Sequence, residues 1–387
     1  MSLTHQFHQS IETISPSQWN TCFGTQHPFT RYEFLAALEV SGCVSGDTGW
    51  QPFHLVISNA EDEVVAAMPC YVKGHSYGEY LFDWSWAQAY EQHGIEYYPK
   101  LLGAVPFTPV GANRIGFATD SKAIQAEILT YVTSLFARYA EANHLQTIQL
   151  LFLTKAQQNQ MRDHGWITRR DVQYHWFNRN YASFQDFTAT LTARKRKSLL
   201  KERKKVEQNE ITIKRIAGEQ ASAEDWHQFH QFYVSTYQKR SGHFGYLNKS
   251  FFREIGKSMH SQTTLVFAYH NDVLIAGALF FHDNEHLYGR YWGCLAEFDF
   301  LHFELCYYQG IELCIEKGLS SFNAGAQGQH KIKRGFEPVY VYGSYQVFHP
   351  SFVGAIERFI EQEYLLTEEH FMAAQSALPY KVIDDGQ

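Results

Sequence analysis

The densest polar cluster in the C-terminal third is the run GAQGQHKIKRGFEP (Gly325–Pro338), which gathers Gln327, Gly328, His330, Lys331 and Arg334. Glycines at 325 and 328 let a ligand approach the backbone closely. Lys331 and Arg334 have the charge and donors to hold a phosphate or a carboxylate. The competing reading is an ordinary solvated loop. Upstream, His302 and Glu304 open a predicted helix. Two apart on a helix, they point in different directions, so one site need not hold both. Either could accept a proton, and Glu304 equally suits a first-turn acid favoured by the helix dipole. His302, Glu304 and Lys331 are the catalytic candidates. Arg290 lies inside a predicted central strand, where a charge must be paired or line a cleft.

A second cluster lies in the N-terminal half. Asp83, Trp84, Trp86, Tyr97, Tyr98 and Lys100, with Tyr90 and Glu91 among them, mix aromatic faces with charges. Such faces suit sugars, nucleobases or cationic amines; packed core aromatics with polar tips are the alternative. The 20 histidines are scattered and form no HExxH spacing, so no metal is expected.

The elements that must position these residues occur twice. Pro52–Val72 (PFHLVISNAEDEVVAAMPCYV) and Thr264–His282 (TLVFAYHNDVLIAGALFFH) each read as a hairpin broken by an Asn/Asp turn. A strand follows each, Tyr97–Val105 and His286–Cys294. A helix comes next, its apolar face carried by Ile124, Ile128, Val132, Leu135 and Tyr139 in one copy. Phe303, Cys306, Tyr307, Gly310 and Cys314 carry it in the other. Strands Gln146–Phe152 and Ser320–Asn323 follow. Each leads to a short helical turn closing on glycine plus an aromatic, Gly165–Trp166 and Gly335–Phe336, and to a last strand, Val172–Asn178 or Val339–Phe348. The order predicts a duplicated mixed α/β fold: a first domain over 1–180, a basic helical linker over 181–210, a second domain over 211–350, and a helix and tail over 351–387.

Composition sets the outer limits. A chain of 387 residues with 45% hydrophobic content can bury two cores. A formal charge of −7 argues against a protein that coats nucleic acid everywhere. One segment departs from that balance: RKRKSLLKERKK (Arg194–Lys205) carries eight Lys/Arg against one acid. It reads either as a solvated helix or as a surface for polyphosphate, a tRNA backbone or an anionic lipid-linked substrate. No signal peptide or spanning segment is visible and the six cysteines form no CxxC pair, so the expected location is the cytoplasm.

The element order resembles the GNAT acyltransferase fold, and two such units in one chain resemble the FemAB-type transferases. His75–Val110, RYWGC (Arg290–Cys294), LHFELCYYQGIE (Leu301–Glu312) and Gly325–Pro338 are similar to a FemAB-like family of predicted N-acyltransferases. The resemblance implies an α/β fold of two tandem GNAT-like domains. It also implies an N-acyltransferase moving an acyl or aminoacyl group to an amine acceptor, a small molecule or a glycopeptide, in cell-envelope or peptidoglycan-related metabolism. No cofactor is held covalently, and the co-substrate is acyl-CoA or aminoacyl-tRNA. The acetyl-CoA signature is missing from Leu295–Leu301, which instead carries Glu297 and Asp299, and this favours the tRNA donor. Substrate contacts would come from Asp83, Trp84, Trp86, Tyr97, Tyr98, Lys100, Arg290, Gln327, Gly328, His330 and Arg334. Two alternatives stay open: an acyl-CoA-dependent N-acetyltransferase, and a non-catalytic protein binding a glycan or lipid headgroup on a degenerate transferase fold.

Overall fold

Hairpins with Asn/Asp turns and amphipathic helices alternate along the chain, and the fold follows from where each buries its apolar face. The structure, a computed structural model, describes residues 2–326 and 328–381. It divides into two units, Met1–Val172 with Tyr340–Glu369, and Gln173–Val339 with His370–Gln387.

Unit one begins with strand Thr4–His8 and helices Pro16–Phe23 and Tyr32–Val40, followed by the hairpin His54–Ser58/Val64–Met68. These strands and Gly116–Phe117 form a four-stranded sheet; Trp50–Pro52, Cys70–Lys73, Lys100–Gly103 and Thr147–Leu153 belong to another. Helix Lys122–Ala142 is capped by Ser121 and lays Ile128, Leu129, Val132 and Phe136 on the sheets. There they meet Leu55, Ile57, Met68, Leu101 and Leu150 in the core.

Unit two repeats the order. Strand Ile211–Ala217, helices Ala223–Ser241 and Lys249–Ser258, and the hairpin Thr263–His270/Val273–His282 precede strand His286–Cys294. Asn271 and Asp272 make the hairpin turn with φ of 50° and 60°, the backbone that two-residue turns require. A capping box of Ser222 and Asp225 starts the first helix, and Gly242 stops it with φ 70°. The helix presses so close to the sheet that a Cβ on Gly293 would lie 1.8 Å from the Phe232 carbonyl oxygen.

The two units interleave in sequence, unlike the contiguous spans 1–180 and 211–350. The last strand of each copy explains this. Tyr342–Val347, within strand Glu337–Val347, pairs antiparallel with Thr147–Leu153 and completes unit one. His175–Phe177, at the end of strand Ile167–Phe177, pairs with Ser321–Asn323 and completes unit two. The expected linker is also part of unit two: helix Ala193–Gln208 buries Leu199 and Val206, and Arg203 pairs with Glu304 and Glu312. Among the described residues no helix is long and apolar enough to cross a membrane.

The copies differ at one place in the sheet. Three residues after the pairs Ile57↔Ala66 and Ala268↔Ala276, unit one has Pro69 and unit two has Leu279. Proline has no ladder N–H, and strand Val64–Met68 ends there. In unit two strand Val273–His282 runs on through a β-bulge between Leu279 and Phe280. Across from it, strand His286–Cys294 is also continuous, whereas unit one splits that strand into Lys100–Gly103 and Gly116–Phe117. Ala104–Val110, in the intervening segment, is buried throughout.

Candidate functional site

In unit two, strands His286–Cys294 and Ser321–Asn323 are parallel and paired only from His286↔Ser321 to Tyr288↔Asn323. Beyond Tyr288 they part, and a cleft of about 290 Å³ opens between them. Gly289, Arg290, Tyr291 and Trp292 line one wall, with Ala324 at the end of the short strand. His302, Cys306 and Tyr307 come from the helical segment Leu301–Glu316, and Tyr233, Tyr237 and Arg240 from the helix Ala223–Ser241.

The bulge aims Arg290. Leu279 pairs with Tyr291 and Phe280 with Gly289, so Arg290 is the extra residue. A bulge re-aims the side chain it carries, and this one delivers a guanidinium to the cleft wall. A wide π turn, Glu304–Tyr308, similarly lets Cys306 and Tyr307 face the cleft while Glu304 turns to Arg203. With Arg240 and Arg290 and no carboxylate in its lining, the cleft favours an anionic ligand.

Burial comes first in setting the protonation here. It pushes His302 down to about 3, with Arg240, His330, Lys331 and Arg334 adding to the effect, so the ring is neutral at physiological pH. Lys331 is 1% exposed, and its Nζ donates to the Gly325 carbonyl oxygen at 2.6 Å. Burial, reinforced by Arg290, pushes its ammonium down to about 7, which suits an amine that takes up and releases a proton at neutral pH. Burial raises the Cys306 thiol, keeping it protonated and poorly nucleophilic.

The structure sorts the expected residues. Arg290 and His302 line the cleft; Lys331 sits beside Gly325, adjacent to lining residue Ala324. His330 is linked to the cleft through a 2.7 Å contact of Nε2 with the Tyr307 hydroxyl. Gly328 precedes the 3-10 turn Gln329–Arg334 with φ 119°. Gln327 lies outside the described residues. Glu304 and Arg334 are otherwise engaged. Glu304 accepts both Nε and Nη2 of Arg203, at 3.0 and 2.7 Å, and is not in the cleft lining. Arg334 pairs with Glu202 at 2.7 Å, donates to Tyr308 and the His330 carbonyl oxygen, and stacks on Phe303. Sequence reading missed Tyr233, Tyr237 and Arg240, although the Ser222–Asp225 cap and Gly242 mark both ends of their helix.

The N-terminal cluster divides differently. Lys100 and Asp83 are fully buried, with Lys100 Nζ 2.6 Å from Asp83, 2.8 Å from Glu79 and 2.8 Å from the Ser76 hydroxyl. Asp83 also accepts from Ser76, Tyr97 and Gln149. Burial alone would raise Asp83, but Lys100 and the donated hydrogen bonds overcome it and hold the carboxyl at about 2. Burial raises Glu79 to about 7 and lowers Lys73 to about 7. Lys100 and Asp83 spend their hydrogen bonds on one another and on Ser76, Glu79, Tyr97 and Gln149. Trp86 is buried against Tyr345, at a ring distance of 5.0 Å. Trp84 and Tyr98 instead line a surface groove of about 710 Å³, together with the edge of buried Tyr97. Among the described residues no group of three or more His, Cys, Asp or Glu is placed to hold a metal.

A profile described as peptidoglycan biosynthesis/recognition, that of the FemAB-like proteins, matches residues 10–382. Among solved structures, FemX is 12% identical with a TM-score of 0.52, covering 92% of this chain and 100% of that one. A conserved protein of unknown function from Bacteroides thetaiotaomicron is 10% identical with a TM-score of 0.51, covering 89% and 100%. A tandem GNAT protein from the clavulanic acid biosynthesis pathway aligns at 8% identity with a TM-score of 0.45, covering 90% and 99%. No curated protein sequence matches significantly.

Proposed function

The chain belongs to the FemAB-like family, and from that premise we propose that it transfers an acyl or aminoacyl group from an activated donor, held in the unit-two cleft, to an amine. One observation carries the reading. Unit two keeps the parting of its parallel strands open and lines it with Arg240 and Arg290, whereas unit one fills its intervening segment with buried residues. The arginines would grip the phosphates of the donor, acyl-CoA or aminoacyl-tRNA. The tRNA donor has separate support. Arg194, Lys195 and Lys333 line a groove of about 310 Å³ whose one acid, Glu202, is already paired with Arg334, which leaves a basic surface for the nucleic-acid backbone. The same charges could meet an anionic lipid-linked acceptor, and the family description makes a glycopeptide acceptor the natural expectation.

In the reaction the acceptor's ammonium first gives a proton to neutral Lys331. Its nitrogen then attacks the donor carbonyl, the C–N bond forms, the ester or thioester bond breaks, and the surplus proton on nitrogen passes to the leaving oxygen or sulfur to release an alcohol or thiol. Neutral His302 leaves the cleft's charge to the arginines. Most of the acceleration would come from positioning, with proton transfer contributing on the order of 10²–10³-fold.

The test offers acyl-CoAs and aminoacyl-tRNAs to the full chain with a cell extract as the acceptor source, and follows product by mass spectrometry. Lys331→Met should lower kcat by about 10²–10³-fold. Lys331→Arg, which keeps charge but cannot act as a base near neutrality, should be no better and should lose the rise in rate through pH 7. Arg240→Gln and Arg290→Gln should raise the donor KM. Ligand binding without turnover by either donor class would sink the proposal and leave the non-catalytic reading.

A further inference from the structure

The unit-one groove has its own chemistry, distinct from the cationic cleft. Helix Trp84–Gln92 presents Trp84, Ala87, Gln88 and Glu91 along one side at helical spacing, and residues 94–98 close the other with Ile95, Glu96 and Tyr98. Glu91 and Glu96 are exposed, neither forms an ion pair among the described residues, and no Lys, Arg or His lines the groove. Trp84 is 41% exposed and lies 5.0 Å from the Tyr77 ring and 5.8 Å from Phe82, both exposed themselves. Monomeric proteins rarely leave large aromatic patches uncovered without a binding role.

The wall is rigid where it meets the protein. The Tyr98 hydroxyl lies 2.8 Å from Ser76, which donates to buried Asp83 and accepts from Lys100. The buried ionic cluster therefore acts as a foundation, fixing the ring of Tyr98 and, through the 2.5 Å bond to Asp83, that of Tyr97. Pre-set aromatic faces with flanking carboxylates attract a cation through the ring quadrupole and through unpaired negative charge, and repel anions. A neutral sugar would use the rings but gain little from two full charges. A phosphate would be driven out.

We infer that this groove binds a primary alkylammonium, with the aliphatic stem on Trp84 and Tyr98 and the charged head between Glu91 and Glu96. The inference goes beyond the reading of the chain as an N-acyltransferase and does not rest on it: this ammonium is a ligand of unit one, separate from the amine that reacts in the unit-two cleft. The binding step stands by itself.

The experiment uses the full chain without donor. N-acetyl-lysine methylamide is titrated by calorimetry and by tryptophan fluorescence, beside the neutral isostere N-acetyl-norleucine methylamide and a neutral chitooligosaccharide. The lysine probe should bind about tenfold more tightly than norleucine, weaken on raising salt, and lose about tenfold in the double variant Glu91→Gln/Glu96→Gln. Trp84→Phe should remove most of the fluorescence change while retaining binding. All three positions are on the surface, so the variants should keep the parent melting temperature. Equal binding of lysine and norleucine probes, indifference to the Glu→Gln pair, or preference for the saccharide would each overturn the inference. Lysine-probe binding with no turnover by any donor would uphold the groove and remove the transferase reading. Turnover without lysine-probe binding would do the reverse.

Discussion

Two buried lysines, one in each unit, show how differently the copies use the same architecture. Lys100 has Glu79 and Asp83 within 2.8 Å, and their charges raise its pKa against the opposing effect of burial. Lys331 has, among the described residues, a carbonyl oxygen at 2.6 Å as its hydrogen-bond partner, and burial pushes it down to about 7. Unit one has closed the place where its strands could part, filling it with buried Ala104–Val110. There Arg114 donates to the Leu151 and Val110 carbonyl oxygens. Unit two has kept that place open. The comparison teaches that two copies of one architecture can set a buried lysine in opposite directions, by adjacent carboxylates in one copy and by burial in the other.

Substituting the two lysines should break that symmetry most visibly. Lys100→Met strands two buried carboxylates and should cost about 3–5 kcal/mol in chemical denaturation. Lys331→Met should stabilise, because it removes a buried amine that is costly to charge. The signs with pH are opposite. Lys100 is raised in the fold, so its contribution is full below the unfolded pKa of 10.5 and lost only as pH rises through the folded value. Lys331 is lowered, so its contribution is full above 10.5 and lost as pH falls through about 7. The stability gain of Lys331→Met should therefore grow from pH 10.5 down to pH 7 and then level. A Lys331→Met protein less stable than the parent at pH 7 would show that this amine is paired after all.

Much of this was readable from residues alone, and the failures share a cause. Strand His286–Cys294 falls where predicted, and both hairpins lie within their predicted ranges to within one residue, because period-two patterning and Asn/Asp turns are local signals. Helix Lys122–Ala142 was equally legible from its apolar stripe. Invisible were effects of partners distant in sequence. Glu304 reads as a base until Arg203, 101 residues away, claims it. Arg334 reads as a phosphate ligand until Glu202, 132 residues away, does the same. The interleaved units depend on which strand Tyr342–Val347 joins, and nothing in its own pattern says so. Arg290 was suspected for its charge, but the bulge that turns it into the cleft arises from a register between two strands.

The plugged segment gives the next test. Arg114 is fully buried, and among the described residues its guanidinium donates to carbonyl oxygens rather than to a carboxylate; burial lowers it to about 9. Arg114→Met deletes an awkward charge but leaves two buried carbonyls without donors, and the second effect should dominate, at about 2 kcal/mol. Hydrogen exchange should rise across 104–115 and stay unchanged in Gly289–Trp292 of unit two. Faster exchange in both would mean that the effect of Arg114 is not confined to the plugged segment.

The smallest difference concerns two tyrosine hydroxyls. Tyr97 donates to Asp83 at 2.5 Å, deep within unit one, and Tyr307 meets His330 at 2.7 Å on the cleft wall of unit two. Tyr97→Phe removes one of several donors to a carboxylate that still has Lys100, Ser76 and Gln149, so it should cost about 1 kcal/mol. Tyr307→Phe should cost still less, because the His330 ring is exposed and water can replace the lost partner. Activity should rank them the other way. Tyr97→Phe should leave kcat/KM within about twofold of the parent, whereas Tyr307→Phe should lower it by about three- to tenfold through loss of a cleft-wall hydrogen bond. If the two variants change activity equally, the division between a closed supporting copy and an open working copy does not hold at the level of single hydroxyls.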